Sequence, residues 1–129
     1  MLRILLADDH KVVRNWMRST LEKIAGWQVC GEACDGRQAV ELALRLRPDI
    51  VVMDISMPRM NGLEATSLIK SALPRVEVLI VTNHDIRELI FGALDVGASG
   101  LIAKSSDEDE LIEAIRAISR HEQFVRAVA

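Results

Sequence analysis

Short apolar runs alternate along this chain with longer segments whose apolar residues recur at helical spacing. The runs occupy residues 3–7, 29–33, 50–53, 76–81 and 100–103. Strands that alternate with helices in this way predict a parallel sheet covered by helices on both faces. The run at 50–53 is apolar throughout, which is typical of a strand buried on both faces. The pattern therefore predicts an α/β fold of five strands and five helices.

Boundary residues support the same division into elements. Asn61 is a predicted N-cap for the third helix, because its side chain can accept a hydrogen bond from the first turn. Gly97 is expected to stop the fourth helix, since glycine readily adopts the left-handed conformation that ends helices. Either Ser106 or Asp107 is expected to cap the last helix. From His121 onward two alternatives stay open, a longer helix or the beginning of a linker.

Length and charge narrow the class of protein. The chain has 129 residues, half of them apolar, which suits a single domain. A net charge of −3 argues against a nucleic-acid-binding module, which would normally be basic. No apolar run approaches the roughly 20 residues that span a bilayer, and acids follow the first apolar run too soon for a signal peptide. We expect a cytoplasmic domain over residues 1–121, with residues 122–129 a tail or linker.

The two cysteines, Cys30 and Cys34, lie in one apolar stretch, residues 27–34, which would be extended if it forms a strand. Residues four apart in a strand are separated by about 13 Å, whereas a disulfide needs Cα atoms within about 7 Å. We therefore expect free thiols. The three histidines show no close pairing in sequence, so a zinc site has little support.

Polar residues follow four of the predicted strands at the point where each strand ends. Asp8 and Asp9 follow the first strand, Asp54 the third, Thr82 the fourth and Lys104 the fifth. The carboxyl ends of parallel strands meet at one edge of a sheet, where ligands of such folds bind. These five side chains are therefore expected to converge.

The chemistry of this set indicates phosphoryl transfer. Three neighbouring carboxylates need a cation or shifted pKa values to coexist, and an oxygen-only set suits Mg²⁺. Lys104 supplies a point charge for phosphate oxygens, and Thr82 supplies a hydroxyl donor. A carboxylate can act as a nucleophile toward phosphorus. The residues alone thus predict Mg²⁺-dependent phosphorylation of an aspartate.

The motifs together resemble the receiver domain of two-component response regulators over nearly the whole chain. They are Leu-Ala-Asp-Asp-His at 6–10, Asp-Ile-Ser-Met-Pro-Arg-Met-Asn-Gly at 54–62, Thr82 and Lys104. Residues 31–33, 62–65 and 93–98 are similar to the NarL/FixJ branch. The resemblance implies a doubly wound (βα)5, flavodoxin-like three-layer sandwich with strand order 2-1-3-4-5. It also leads us to expect an output domain beyond the linker, because this branch usually carries a DNA-binding helix-turn-helix domain that this chain lacks.

The resemblance assigns a metal-binding role to four residues. Asp54 would accept a phosphoryl group from the phosphohistidine of a sensor histidine kinase. Asp9, Asp54 and the backbone carbonyl of Ser56 would bind Mg²⁺, and Asp8 would bind it through water. Such a protein is a switch that assists its own phosphorylation and slow dephosphorylation, and is not a turnover enzyme.

Thr82 and Lys104 would bind the phosphoryl oxygens and move on activation. Two departures from the family pattern bear on that movement. Leu101 stands where many members have an aromatic switch residue, and Ser105 stands where many have proline. An activated member of this branch commonly forms a homodimer and contacts DNA only through its C-terminal domain; we expect no membrane partner.

Three residues are candidates for a partner surface: Trp16, Arg14 and Phe91. Trp16 lies off the apolar face of the first helix, which in the family commonly contacts the kinase. Arg14 is predicted to point to solvent. Phe91 lies off the apolar stripe of its helix and suits a dimer or output surface. For both aromatic residues, packing over a helix edge is the plainer alternative.

His10 and His84 lie near the acidic edge, where a solvated or loop-capping role is favoured over metal binding. His84 and Ser56 are also placed to affect hydrolysis of an aspartyl phosphate. Two other functions remain open. One is a phosphohydrolase of the haloacid-dehalogenase kind, although Ser56 stands where that class has an acid. The other is a phosphorylation-independent, receiver-like interaction module.

Overall fold

The computed structural model describes residues 1–126, and strands and helices alternate along all of them. The elements are β1 (Leu2–Ala7), α1 (Lys11–Leu21), β2 (Trp27–Ala33), α2 (Gly36–Leu46), β3 (Ile50–Asp54), α3 (Gly62–Ala72), β4 (Glu77–Thr82), α4 (Ile86–Asp95), β5 (Gly100–Ala103), α5 (Glu108–Ser119) and β6 (Phe124–Val125). The five predicted strands and five predicted helices are confirmed.

All strands run parallel in one sheet of order β2-β1-β3-β4-β5-β6. The expected order 2-1-3-4-5 is therefore confirmed, with one strand added beside β5. β3 is buried along its whole length, as its continuous apolar sequence predicted. None of the helices in residues 1–126 is long and apolar enough to cross a bilayer.

Of the two alternatives for the chain from His121 onward, the longer helix is wrong, and the beginning of a linker stays a prediction. α5 ends at Ser119, so the helix is not extended. The chain reverses at His121 (φ 62°) and lays Phe124 and Val125 beside β5. The buried Phe124 ring anchors this strand. Two residues are too few to show a strand periodicity in sequence, and residues 127–129 of the predicted tail lie outside the described part.

The helices cover both faces of the sheet, which gives the expected three-layer sandwich. α1 and α5 pack on one face, where Met17, Leu21 and Ile115 are among the buried residues. α2, α3 and α4 pack on the other face, where small residues such as Ala39 and Ala65 let the helices approach closely. Both faces of β3 are thus shielded from water. The carboxyl end of β3 lies near the middle of the sheet edge where all the strands end.

The predicted helix boundaries hold in the structure. Asn61 Oδ1 accepts a hydrogen bond from the Glu64 N–H (2.9 Å). Asp107, and not Ser106, caps α5 by accepting from the Glu110 N–H (2.9 Å). Gly97 adopts the left-handed conformation (φ 92°) just beyond α4. Cys30 lies in β2 and Cys34 directly after it, and both are free thiols, as their spacing predicted.

Candidate functional site

The carboxyl edge of the sheet brings the predicted acidic residues together. β1 lies beside β3, so Asp8 and Asp9 follow a strand adjacent to the one that ends in Asp54. Asp8 is 1% exposed and Asp54 is 4% exposed. One ligand atom from each of Asp8, Asp9, His10 and Asp54 lies within 4.8 Å of the others. The three carboxylates therefore converge as predicted, and the imidazole of His10 also lies in this cluster.

Lys104 connects the two buried carboxylates. Its Nζ lies 2.9 Å from Asp8 Oδ2 and 3.3 Å from Asp54 Oδ2, and its side chain is only 8% exposed. The Lys104 N–H donates to the Thr82 carbonyl (2.7 Å), which fixes the loop after β5 against the end of β4. A single ammonium therefore offsets two acids in a largely dry position.

The pKa values in this cluster reflect the crowding of charge. Burial raises the pKa of the Asp54 carboxyl, the charge of Asp8 raises it further, and Lys104 only partly opposes these effects. Burial by itself would lower the pKa of Lys104, but its hydrogen bond to Asp8 and the charges of both acids outweigh burial and raise it. The cluster thus has an excess of negative charge that a further cation would relieve.

The donor set fits a magnesium ion. Mg²⁺ prefers oxygen ligands and needs only one or two carboxylates from the protein, since it retains several waters. Asp9 is the most exposed of the three acids and can reach an ion from solvent. The geometry supports the fit, because ligand atoms of Asp8, Asp9 and Asp54 lie within 4.8 Å of one another and a bound cation would stabilise their ionised forms.

The His10 side chain is 60% exposed, as a solvated role predicts, although its ring also contacts the acids. His10 occupies the N-cap position of α1 without a side-chain capping bond. Instead its Nδ1 lies 3.1 Å from Asp8 Oδ1 and 3.0 Å from Asp9 Oδ1. The imidazole therefore faces the acids, and the backbone N–H of His10 also donates to Asp8 Oδ1 (2.8 Å).

Thr82 and Leu101 occupy the positions expected of them. Thr82 is buried at the end of β4, and its Oγ1 accepts from the His84 N–H (2.9 Å). Leu101 is buried within β5, beside Ile80 of β4. An aliphatic side chain is thus buried at the position where many receiver domains have an aromatic switch residue.

Ser56 and His84 form a contact that sequence reasoning missed as a pair. Ser56 Oγ lies 2.8 Å from His84 Nε2, although 28 residues separate them. The bond joins the loop after β3 to the loop after β4 at the exposed mouth of the site. Both loops follow adjacent parallel strands, and that adjacency is the signal that could have suggested the contact.

Arg14 was predicted to point to solvent and to serve a partner surface, and this prediction of its orientation is wrong. Its side chain is 14% exposed. Its Nε donates to Glu32 Oε1 (2.9 Å), and its Nη1 donates to the Asp8 carbonyl (2.6 Å). A helical wheel gives the angle of a residue around α1, but it cannot show that Glu32 of β2 lies at that angle.

The two aromatic candidates are accessible to a partner. Trp16 is 38% exposed on α1, near the highly exposed Val12. Phe91 is 79% exposed on α4. Packing over a helix edge therefore does not describe Phe91.

Replacing Lys104 by methionine is expected to lower the free energy of unfolding in EDTA by about 2 kcal/mol, because two buried carboxylates lose their shared partner. Added Mg²⁺ should restore more stability to this variant than to the unmodified chain, since the ion takes over the neutralising role. Urea denaturation with and without Mg²⁺ measures both effects. Lys23→Met is a matched control, because Lys23 forms an exposed pair with Glu108 and such pairs contribute little. Equal losses in the two variants would contradict the prediction.

This edge of the sheet, with an acidic pair, a buried aspartate, a threonine and a lysine, defines the receiver class of signalling domains. The chain belongs to that family: the model of the response regulator receiver domain matches residues 4–116.

Particular relatives support the same placement. The chain is 40% identical over 127 residues to the uncharacterized transcriptional regulatory protein YxjL of Bacillus subtilis, covering 98% of this chain and 58% of that protein. A crystal structure of a LuxR-family two-component response regulator from Aurantimonas sp. SI85-9A1 is 40% identical, with a TM-score of 0.90 over 95% of this chain and 87% of that one. The receiver domain of a putative response regulator NarL from Mycobacterium tuberculosis is 32% identical, with a TM-score of 0.87 over 92% of this chain and 96% of that one. The chain spans little more than half the length of the curated relatives it matches.

Proposed function

We propose that this chain is a switch controlled by phosphorylation of Asp54, with a sensor histidine kinase as the phosphoryl donor. The observation that carries the proposal is the ion pairing of one buried lysine, Lys104, with both Asp8 and Asp54 beside the acid cluster. An Asp54 oxygen attacks the phosphorus of a phosphohistidine. The O–P bond forms as the P–N bond breaks, and the electron pair stays with the histidine nitrogen.

The chain's own residues prepare this step. Asp9, Asp54 and the backbone carbonyl of Ser56 would hold Mg²⁺, and Asp8 would hold it through water. When bound, the ion would neutralise negative charge on the phosphoryl oxygens. Lys104 leaves its pairing with Asp54 to bind one of those oxygens, and the Thr82 hydroxyl donates to another. The buried position of Asp54 keeps its carboxylate free of competing hydrogen-bond donors from solvent.

Phosphorylation would then bias a two-state equilibrium of the loops around the site. Movement of Thr82 and Lys104 toward the phosphoryl group would displace the ends of β4 and β5, and the buried Leu101 of β5 belongs to the same apolar cluster as Ile86 and Ala93 of α4. The signal would reach an exposed surface, for which Phe91 of α4 is the candidate. We propose that the kinase binds the surface of α1 that includes Trp16.

The expected output is homodimerisation on activation and control of transcription. The two-component and transcriptional names of the relatives support this proposal, and it requires a helix-turn-helix domain outside residues 1–129. We further propose that the chain works in the cytoplasm and that it catalyses no turnover reaction on other substrates.

Intact mass after incubation with acetyl phosphate tests the proposal. One phosphoryl increment is expected with Mg²⁺ and none with EDTA, because the acid cluster needs a cation before a phosphoryl dianion can approach. Absence of the increment in a folded protein with Mg²⁺ would favour the phosphorylation-independent interaction module. Continuous release of phosphate from small phosphate esters would instead favour the haloacid-dehalogenase kind of hydrolase.

A further inference from the structure

The peptide unit between the two acids of the β1–α1 loop has its own anchor. The carbonyl of Asp8 belongs to the peptide that joins Asp8 to Asp9, and Arg14 Nη1 donates to that carbonyl (2.6 Å). The orientation of this peptide sets the direction in which the Asp9 side chain leaves the backbone. Arg14 thus contacts the peptide that carries Asp9, and not a carboxylate.

Arg14 is itself held by the neighbouring strand. Glu32 of β2 accepts from Arg14 Nε (2.9 Å) and from Arg18 Nε (2.9 Å). Although burial raises the pKa of the Glu32 carboxyl, its bonds to Arg14 and Arg18 outweigh burial and hold that pKa below its usual value. Glu32 stays ionised and fixes the planar guanidinium of Arg14 in one orientation, which leaves a second edge free for the Asp8 carbonyl.

β2 supplies a rigid base for this arrangement. Glu32 pairs with Leu6 in the sheet, and the Asp8 N–H donates to the Ala33 carbonyl (3.0 Å). The Asp8 backbone is thus held on both sides: directly at its N–H, and through Arg14 at its carbonyl. Loss of the second attachment would free the peptide to rotate.

We propose that Arg14 is a positioning residue for the divalent cation: held by Glu32, it orients the Asp8–Asp9 peptide so that the Asp9 carboxylate faces the cation site. This inference rests on the proposed Mg²⁺-dependent function. Partners one step removed from a metal commonly alter its affinity 10- to 100-fold when they are mutated.

The direction in which the Mg²⁺ affinity changes on removal of Arg14 distinguishes a positioning role from a simple electrostatic one. Removal of a positive charge near a cation site strengthens cation binding by Coulomb's law, whereas loss of orientation weakens it. Arg18 offers a matched control, because it shares Glu32 and α1 with Arg14 but makes no hydrogen bond to Asp8 among the described residues.

Isothermal titration with Mg²⁺ alone tests the proposal on the unmodified chain, Arg14→Ala, Arg14→Lys and Arg18→Ala. We expect Arg14→Ala to weaken binding about tenfold or more, and Arg18→Ala to leave it unchanged or slightly stronger. Arg14→Lys should also weaken binding, because a single ammonium cannot contact Glu32 and the Asp8 carbonyl as the guanidinium fork does. Urea denaturation in EDTA shows whether each variant folds.

A folded Arg14→Ala that binds Mg²⁺ as tightly as the unmodified chain would overturn the proposal, and so would an equal loss in Arg18→Ala. If Arg14→Ala does not fold, Glu32→Gln replaces it; this substitution keeps an oxygen acceptor but weakens the hold on Arg14, and it should weaken binding to a smaller extent. Unchanged affinity in Glu32→Gln would then overturn the inference. Absence of Mg²⁺ binding in the unmodified chain would overturn the proposed function together with this inference.

Discussion

Asp54→Asn is expected to abolish phosphorylation by acetyl phosphate while leaving the fold intact. An amide oxygen has the shape of the carboxylate oxygen but lacks the charge that makes it a nucleophile. The fold should tolerate the change, since burial and the charge of Asp8 already disfavour an ionised Asp54 and Lys104 keeps its contact with Asp8. Intact mass, with urea denaturation alongside, measures both expectations.

Asp35→Asn is the matched control for this experiment. Asp35 follows β2 at the same edge of the sheet and caps α2 by accepting from the Gln38 N–H (2.7 Å). Asparagine caps helices as well as aspartate does, so this variant should fold and gain the phosphoryl group normally. If Asp54→Asn gains the increment to the same extent as the unmodified chain, another residue is the acceptor and the assignment of Asp54 is wrong.

Gly62→Ala is expected to destabilise the fold strongly. Gly62 begins α3, and a Cβ at this position would collide with the backbone carbonyl of Asp54 and with Ile55 Cα. Backbone atoms cannot rotate aside as a long side chain does, so the collision displaces either α3 or the end of β3. We expect a loss of about 3 kcal/mol in the free energy of unfolding, the upper part of the range for added bulk in a packed site.

Thermal or urea denaturation measures this loss, and Gly92→Ala provides the comparison. Gly92 lies inside α4, where a Cβ would have Leu63 Cδ1 as its nearest neighbour at 3.9 Å. Alanine should stabilise that helix by about 0.5–1 kcal/mol, because it restricts the unfolded chain more than glycine does. Opposite signs in two glycine-to-alanine variants are therefore expected. A stable Gly62→Ala protein would show that the end of β3 can shift without cost.

Much of the site could be predicted because parallel strands carry their carboxyl ends to one edge. Once the strands are assigned, the positions of Asp54 and Lys104 follow from sequence order alone, and no contact need be known. The burial of β3 follows in the same way from its continuous apolar sequence. In this fold, assigning the strands is therefore enough to locate these site residues.

The errors concern side chains whose direction depends on a neighbour far away in sequence. Arg14 and Glu32 are 18 residues apart, and a helical wheel for α1 contains no information about β2. A signal was nevertheless present: Glu32 is an isolated charge within an apolar strand, and Arg14 and Arg18 are one helical turn apart. An unexplained charge in a strand, together with two cations on one side of the adjacent helix, favours an ion pair over solvation.

The sixth strand changes what the sheet presents to other proteins. The carbonyls of Ser99 and Leu101 accept hydrogen bonds from the N–H groups of Phe124 and Arg126. At Gly100 and Leu101, β5 is therefore not an open edge, and that role passes to a strand of only two residues. Short edge strands are poor templates for pairing with another chain. Over this part of β5, the short added strand thereby opposes edge-to-edge pairing with another chain.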